Sequence, residues 1–173
     1  MTSRQDAMKE PTTIAAHSSH ATSVLFSPDN RILVSAGMDK TVRLWSVPSW
    51  QPLGVFQGHE NSVNALALSP DGNTLATCST DTTVRLWSFP SGEALKTLAG
   101  DKKTVARVAI SPDSRTLAIG VEYMVLVSAI EDETLLAELP VGVKGVYQLA
   151  FSPDGKWLAM AAADGKVRVW DLA

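Results

Sequence analysis

The chain has 173 residues, 45% hydrophobic and 19% charged, with a net charge of −3, which is the balance of a chain that buries a core, not a disordered one. Lys102-Lys103 is its sole adjacent basic pair, so the basic stripe with which duplex binders displace counterions from phosphate is missing, and no nucleic-acid partner is expected. The single cysteine, Cys78, permits no intrachain disulfide, and no apolar run nears the roughly 18 residues that cross a bilayer, so no membrane partner is expected either.

In chain order, residues 1–10 are polar and lack the apolar stretch of a secretory signal. They are expected to form a flexible tail, on a chain located in the cytoplasm. Pro11 to Ala15 stand in register with Leu53 to Gln57, and residues 11–16 read as a short strand. From there the chain repeats itself. Phe26-Ser27-Pro28-Asp29 returns as Leu68-Ser69-Pro70-Asp71, Ile110-Ser111-Pro112-Asp113 and Phe151-Ser152-Pro153-Asp154. The prolines are 70−28 = 42, 112−70 = 42 and 153−112 = 41 residues apart. A tryptophan follows its proline by 17 residues at Trp45, Trp87 and Trp170 (45−28, 87−70, 170−153).

The second copy shows how each unit is built. Val63 to Leu68 is an apolar strand, closed by Ser69-Pro70-Asp71-Gly72, in which proline presets φ and glycine accepts positive φ. Thr74 to Cys78 follows, then a turn at Asp81-Thr82, a third strand over Val84 to Trp87, the turn Pro90-Ser91-Gly92, and a fourth strand over Ala94 to Ala99. No segment sustains a 3.6-residue apolar period, so helices are not expected. Four short strands per period of about 40 to 45 residues is the repeat of a β-propeller.

These markers resemble the WD-repeat (WD40) family from about Pro11 to the C-terminus: Gly58-His59, Asp81 and Trp87 in the second copy, Ala16-His17, Asp39 and Trp45 in the first, Asp164 and Trp170 in the fourth. The fourth has Gly142 where histidine belongs. The third departs furthest: Asp101 replaces histidine, the turn at Glu122 is read as about two residues short, and Val127 is read in place of tryptophan. The resemblance implies an all-β propeller with four four-stranded blades in the chain. Residues 11–16 would be a closing outer strand, with blades over about 17–58, 59–100, 101–141 and 142–173. It also implies hydrogen-bonded structural tetrads of His17, Ser35, Asp39 and Trp45, and of His59, Thr77, Asp81 and Trp87, with Asp164 and Trp170 as remnants of a third.

A His–Ser–Asp grouping also occurs in hydrolases, but here it recurs with the same neighbours and no oxyanion-hole signature, so the structural role is favoured and no catalytic residue is assigned. His17-Ser18-Ser19-His20 supplies two histidines where zinc wants four ligands, so no metal and no cofactor are expected. Cys78, beside Leu75 and Ala76, reads as a buried apolar residue. The family's contact positions fall on His20, Thr22, Met38, Ser62, Asn64, Thr80, Thr104 and Tyr147, joined by Ala106, Glu122, Gly145 and Ala163. Tyr147 is the aromatic anchor among them, with Lys102, Lys103 and Lys144 adding charge nearby. The expected function is a non-catalytic protein-interaction scaffold. The last blade has no fourth strand in the sequence, and four blades are few for a family that closes rings of about seven or eight. A homodimer completing one eight-bladed ring is therefore expected. The alternatives are a fragment or sensor domain of a larger regulatory protein, or an enzyme.

Overall fold

The computed structural model describes residues 10–99 and 104–173. The expectations for residues 1–9 and for Asp101, Lys102 and Lys103 lie outside the described residues. Within them the chain forms fifteen strands and no helix. β1 (Ala21–Phe26), β2 (Ile32–Gly37), β3 (Val42–Ser46) and β4 (Pro52–Phe56) make a first antiparallel sheet in sequence order. β5 (Val63–Leu68), β6 (Thr74–Ser79), β7 (Thr83–Ser88) and β8 (Ala94–Ala99) make a second. β9 (Val105–Ile110), β10 (Thr116–Val121), β11 (Met124–Ala129) and β12 (Leu135–Pro140) make a third. β13 (Val146–Phe151), β14 (Trp157–Ala162) and β15 (Val167–Asp171) make a fourth sheet, of three strands. In the second sheet, β6 and β7 run one residue beyond the expected ends, because ladder pairing carries through Ser79 and Ser88.

The β1–β2, β5–β6, β9–β10 and β13–β14 turns share one hydrogen-bond scheme. In the first, the Ser27 hydroxyl donates to Asp29 (2.6 Å) and accepts from the Ile32 amide (2.9 Å), and Arg31 N–H donates to the same carboxylate (3.0 Å). The residue after each aspartate is left-handed: Asn30, Gly72, Ser114 and Gly155 have φ of 58°, 74°, 62° and 73°. Pairing of β1 with β2 and its counterparts then follows from a short turn with a fixed geometry.

The sheets stack face to face. The first strands β1, β5, β9 and β13 lie side by side in succession, and each gap holds one apolar cluster. Between the first two sheets, Val34, Ala36, Val42, Leu44 and Phe56 meet Val63, Leu66, Leu75, Trp87 and Phe89. Equivalent clusters join the second sheet to the third and the third to the fourth. Polar ties cross the same gaps: the Thr22 hydroxyl donates to Val63 O (2.5 Å), Asn64 Nδ2 to Val105 O (2.9 Å) and Arg107 Nε to Tyr147 O (2.6 Å). Each sheet thus depends on its neighbours, as in other stacked-repeat architectures.

Candidate functional site

Two buried polar clusters sit at matching places in the first and second sheets. His17 Nδ1 lies 2.9 Å from Asp39, His17 Nε2 lies 2.9 Å from Ser35 Oγ, and Trp45 Nε1–H donates to the same hydroxyl at 3.0 Å. In the second sheet, His59 Nδ1 lies 2.7 Å from Asp81, His59 Nε2 lies 2.7 Å from Thr77 Oγ1, and Trp87 Nε1–H donates to Thr77 at 3.0 Å. Chemistry fixes the protons. An indole N–H can only donate, so the hydroxyl accepts from tryptophan and donates to Nε2. The imidazole is therefore the neutral Nδ1–H tautomer, donating to the carboxylate.

Burial acts on the titrating groups here. Desolvation lowers the His59 pKa, more than the Asp81 carboxylate raises it, and keeps the ring neutral. Burial pushes the Asp81 pKa up. Hydrogen bonds from the Thr83 hydroxyl, His59 and the Thr83 and Glu60 amides outweigh it and hold the group at about 2. Asp39 is held at about 2 in the same way by Thr41, His17 and the Ser18 amide. Ser35 and Thr77 are buried and already saturated, so neither hydroxyl is presented to a substrate. His17 has both nitrogens engaged and cannot pair with exposed His20 as a ligand. Cys78 is fully buried, and desolvation pushes its thiol up to about 12.

The other two sheets replace this chemistry. In the fourth, Gly142 takes the histidine place and Met160 the hydroxyl place, and Asp164 turns to Arg168, with contacts of 2.8 and 3.2 Å. Half-buried Trp170 there faces Leu158 across the ladder. In the third, the strand register corrects two expectations. Cys78 pairs with Val84 across the turn (84−78 = 6), whereas Gly120 pairs with Val125 (125−120 = 5), so the Glu122-Tyr123 turn is one residue short, not two. Leu75 faces Trp87 and Leu117 faces Ser128; Ser128, not Val127, holds the tryptophan place. Val127 instead points into the apolar gap toward the fourth sheet.

The family contact positions gather at one end of the sheets, where each second-to-third strand turn meets the start of a first strand. Met38 N–H donates to His20 O (2.9 Å), Thr80 N–H to Ser62 O (3.0 Å), Gly145 N–H to Glu122 O (3.2 Å) and Ala163 N–H to Gly145 O (3.0 Å). His20, Met38, Thr80, Thr104, Tyr147 and Ala163 are exposed, while Ser62, Ala106, Glu122 and Gly145 are half-buried. Thr22 and Asn64 are half-buried and spend their side chains on the next sheet. Tyr147 occupies their register place in the fourth sheet, where no further sheet follows among the described residues. Lys144 pairs with Glu122 at 3.4 Å. Sequence reading missed Tyr123, half-exposed beside that pair. The two-residue hairpin turn that lifts it out is legible only once β10 and β11 are aligned.

The sequence profile of the family described as WD domain, G-beta repeat matches residues 8–46, 50–88 and 134–171. Each match ends with a third strand, and the unmatched stretch 89–133 contains the third sheet's altered turn. Among individual proteins, the chain is 36% identical over 52 residues to "Transducin beta-like protein 3" of Homo sapiens, covering 30% of this chain and 6% of that protein. It is 38% identical over 50 residues to "Pre-mRNA-processing factor 19" of Mus musculus, covering 29% and 10%. The matched stretch thus spans a tenth or less of these relatives' length.

Proposed function

The chain belongs to the WD-repeat family, and on that premise we propose that it is a non-catalytic protein-interaction scaffold. The observation that carries this reading is how its polar groups are used. The His–Ser/Thr–Trp–Asp sets are buried and saturated among themselves, which fits structural tetrads, while exposed His20, Met38, Thr80, Thr104 and Tyr147 lie together at one end of the sheets, on or beside the turns. Turn residues on a rigid scaffold are free to read a partner. His20, Met38, Thr80, Thr104 and Tyr147 form the candidate face, with Thr22, Ser62 and Asn64 setting its backbone, and Tyr123 joins it. No cofactor, metal, nucleic acid or membrane is part of this reading, and its location is cytoplasmic.

Assembly completes the proposal. Two copies make one eight-bladed ring, each closing the other's last sheet with residues 11–16, a two-fold arrangement with two identical contacts. The exposed apolar faces of the first and last sheets support it. A second reading, the ligand-reading part of a larger regulatory protein, is favoured by the length of the matched relatives; sequencing the surrounding reading frame tests it, a frame that continues past these residues being the result it expects. The scaffold reading is tested with a captured partner and a Met38→Ala/Thr80→Ala/Tyr147→Ala variant. The expected result is loss of binding by tenfold or more with an unchanged melting temperature. Undiminished binding overturns the assigned face.

A further inference from the structure

A groove opens between the first two sheets, at the end opposite the candidate partner face. Phe89 and Ile32 form its floor and Pro28 and Pro90 its walls, around a volume of about 210 Å³. Buried Phe89 and half-buried Ile32 belong to the apolar cluster that fills this gap, so the groove opens onto the core between two sheets. Small-molecule sites enclose roughly 300–1,000 Å³, whereas this one suits a single large side chain.

Gly72 keeps the groove open. The β5–β6 turn needs a left-handed residue at this place, and Gly72 has φ of 74°. In the next gap the same place belongs to Ser114, at φ 62°, whose hydroxyl accepts from Asp71 N–H at 3.2 Å and ties the two turns together. Gly72 has no side chain with which to tie the Asp29 amide, and a Cβ there would meet only Pro28, at 3.9 Å.

The opening is ringed by negative charge. Asp29 and Asp71 line it, one from each sheet. Each takes its turn bonds on Oδ1, Asp29 from the Ser27 hydroxyl and Arg31 amide, Asp71 from the Ser69 hydroxyl and Asn73 amide, which leaves Oδ2 for a cation. Those bonds, the serine hydroxyl foremost, hold both carboxyls below their usual range, so both are ionised at neutral pH. Arg31 Nε stands 3.9 Å from Asp29, but both side chains are exposed and the pair is weak. The three turns around the groove, 27–31, 69–73 and 89–93, carry Asp29, Asp71 and Glu93 against Arg31. The other described turns at this end add Asp113, Glu131, Asp132, Glu133 and Asp154 against Arg115 and Lys156, with Lys96 of β8 reaching Glu133.

We propose that this groove is a second docking site, taking an extended segment of a partner protein that sets one apolar side chain between the two sheets and a neighbouring Lys or Arg against Asp29 and Asp71. The acidic surround repels phosphates and acidic segments and draws basic ones, so charge complementarity names the occupant. The site shares no residue with the face at the other end and stands or falls separately from it.

Fluorescence anisotropy of the full chain with labelled peptides tests the site. The probe is an extended peptide with one leucine between two arginines; its controls replace the leucine by serine or the arginines by glutamates. The leucine–arginine peptide is expected to bind, more weakly as salt rises, and neither control is expected to match it. Gly72→Ser should weaken binding about tenfold, by closing the groove with its charge unchanged. Asp29→Asn/Asp71→Asn should do so by a similar factor, because asparagine Oδ1 keeps the turn bonds and only the charge is lost. The two variants alter different residues, so a folding defect in one leaves the other to decide. Met38→Ala/Thr80→Ala/Tyr147→Ala, at the other end, should bind the peptide undiminished. Absence of binding, equal binding of either control, or undiminished binding by Gly72→Ser overturns the proposal. Self-association of the chain that Gly72→Ser abolishes would assign the groove to a second copy and overturn it as well.

Discussion

Thr77→Val isolates what the buried clusters contribute. The substitution keeps the shape of a fully buried side chain and removes the one hydroxyl that joins His59 to Trp87. Two partners are stranded: the Trp87 N–H loses its acceptor and His59 Nε2 loses its donor, both buried from bulk solvent. An unsatisfied buried group costs about 1–3 kcal/mol, so the variant should lose about 3 kcal/mol. Urea unfolding reads this as a lower midpoint with an unchanged slope. The second expectation is coupling. Trp87→Phe removes the donor that Thr77→Val strands, so the double variant should cost about 1–2 kcal/mol less than the sum of the singles. A single-variant loss below about 0.5 kcal/mol, or no coupling, would refute the view that the tetrad geometry holds the second sheet together.

Four further outcomes follow from the same structure. Asp39 and Asp81 sit near 2 in the folded chain, below the ordinary 3.8, so their contribution is complete above pH 4 and lost as pH falls from about 4 toward 2. His59 is held neutral, so the unfolded chain gains a proton that the fold refuses and stability starts to decline below about pH 6.5. Melting temperature against pH should fall in these two stages, and His59→Asn should flatten the upper one. Thr82 holds a β-branched side chain at φ 72°, where the fourth sheet has Gly165 at φ 74°; Thr82→Gly should stabilise by about 1 kcal/mol in chemical denaturation. Gly92→Ala puts a Cβ 2.5 Å from Phe56, which packs on Trp87 at 5.5 Å, and should cost about 2–3 kcal/mol. Gly165→Ala meets nothing within 4 Å and should cost about 1 kcal/mol, from backbone strain alone.

The all-β architecture and most strand positions were legible because proline, aspartate and tryptophan mark fixed points of each repeat, and a turn that sets one pairing sets the rest. The partners of His17 and His59 could be named because the resemblance to the WD-repeat family implies the tetrad, and constant offsets carry its positions onto this chain. Where the markers are missing, legibility stops. In the third sheet nothing fixed the turn length, and a one-residue error moved the tryptophan place from Ser128 to Val127, which flips a side chain to the other face of the sheet. Thr22 and Asn64 show a different limit. By register with the family's contact positions they read as contact groups, yet their bonds to Val63 and Val105 of the next sheet follow from stacking that no local pattern encodes. The exposure of Val167 and Val169 has the same origin: only the stack tells which faces are covered.

These uncovered faces make assembly the point on which the account turns, since the ring that would present the turn face needs both ends closed. Light scattering of the full chain at micromolar concentration tests this most directly. The account predicts a single species of about twice the chain mass of 18.5 kDa, stable on dilution. A soluble, monodisperse 18.5 kDa monomer with Val167 and Val24 left in water would contradict it.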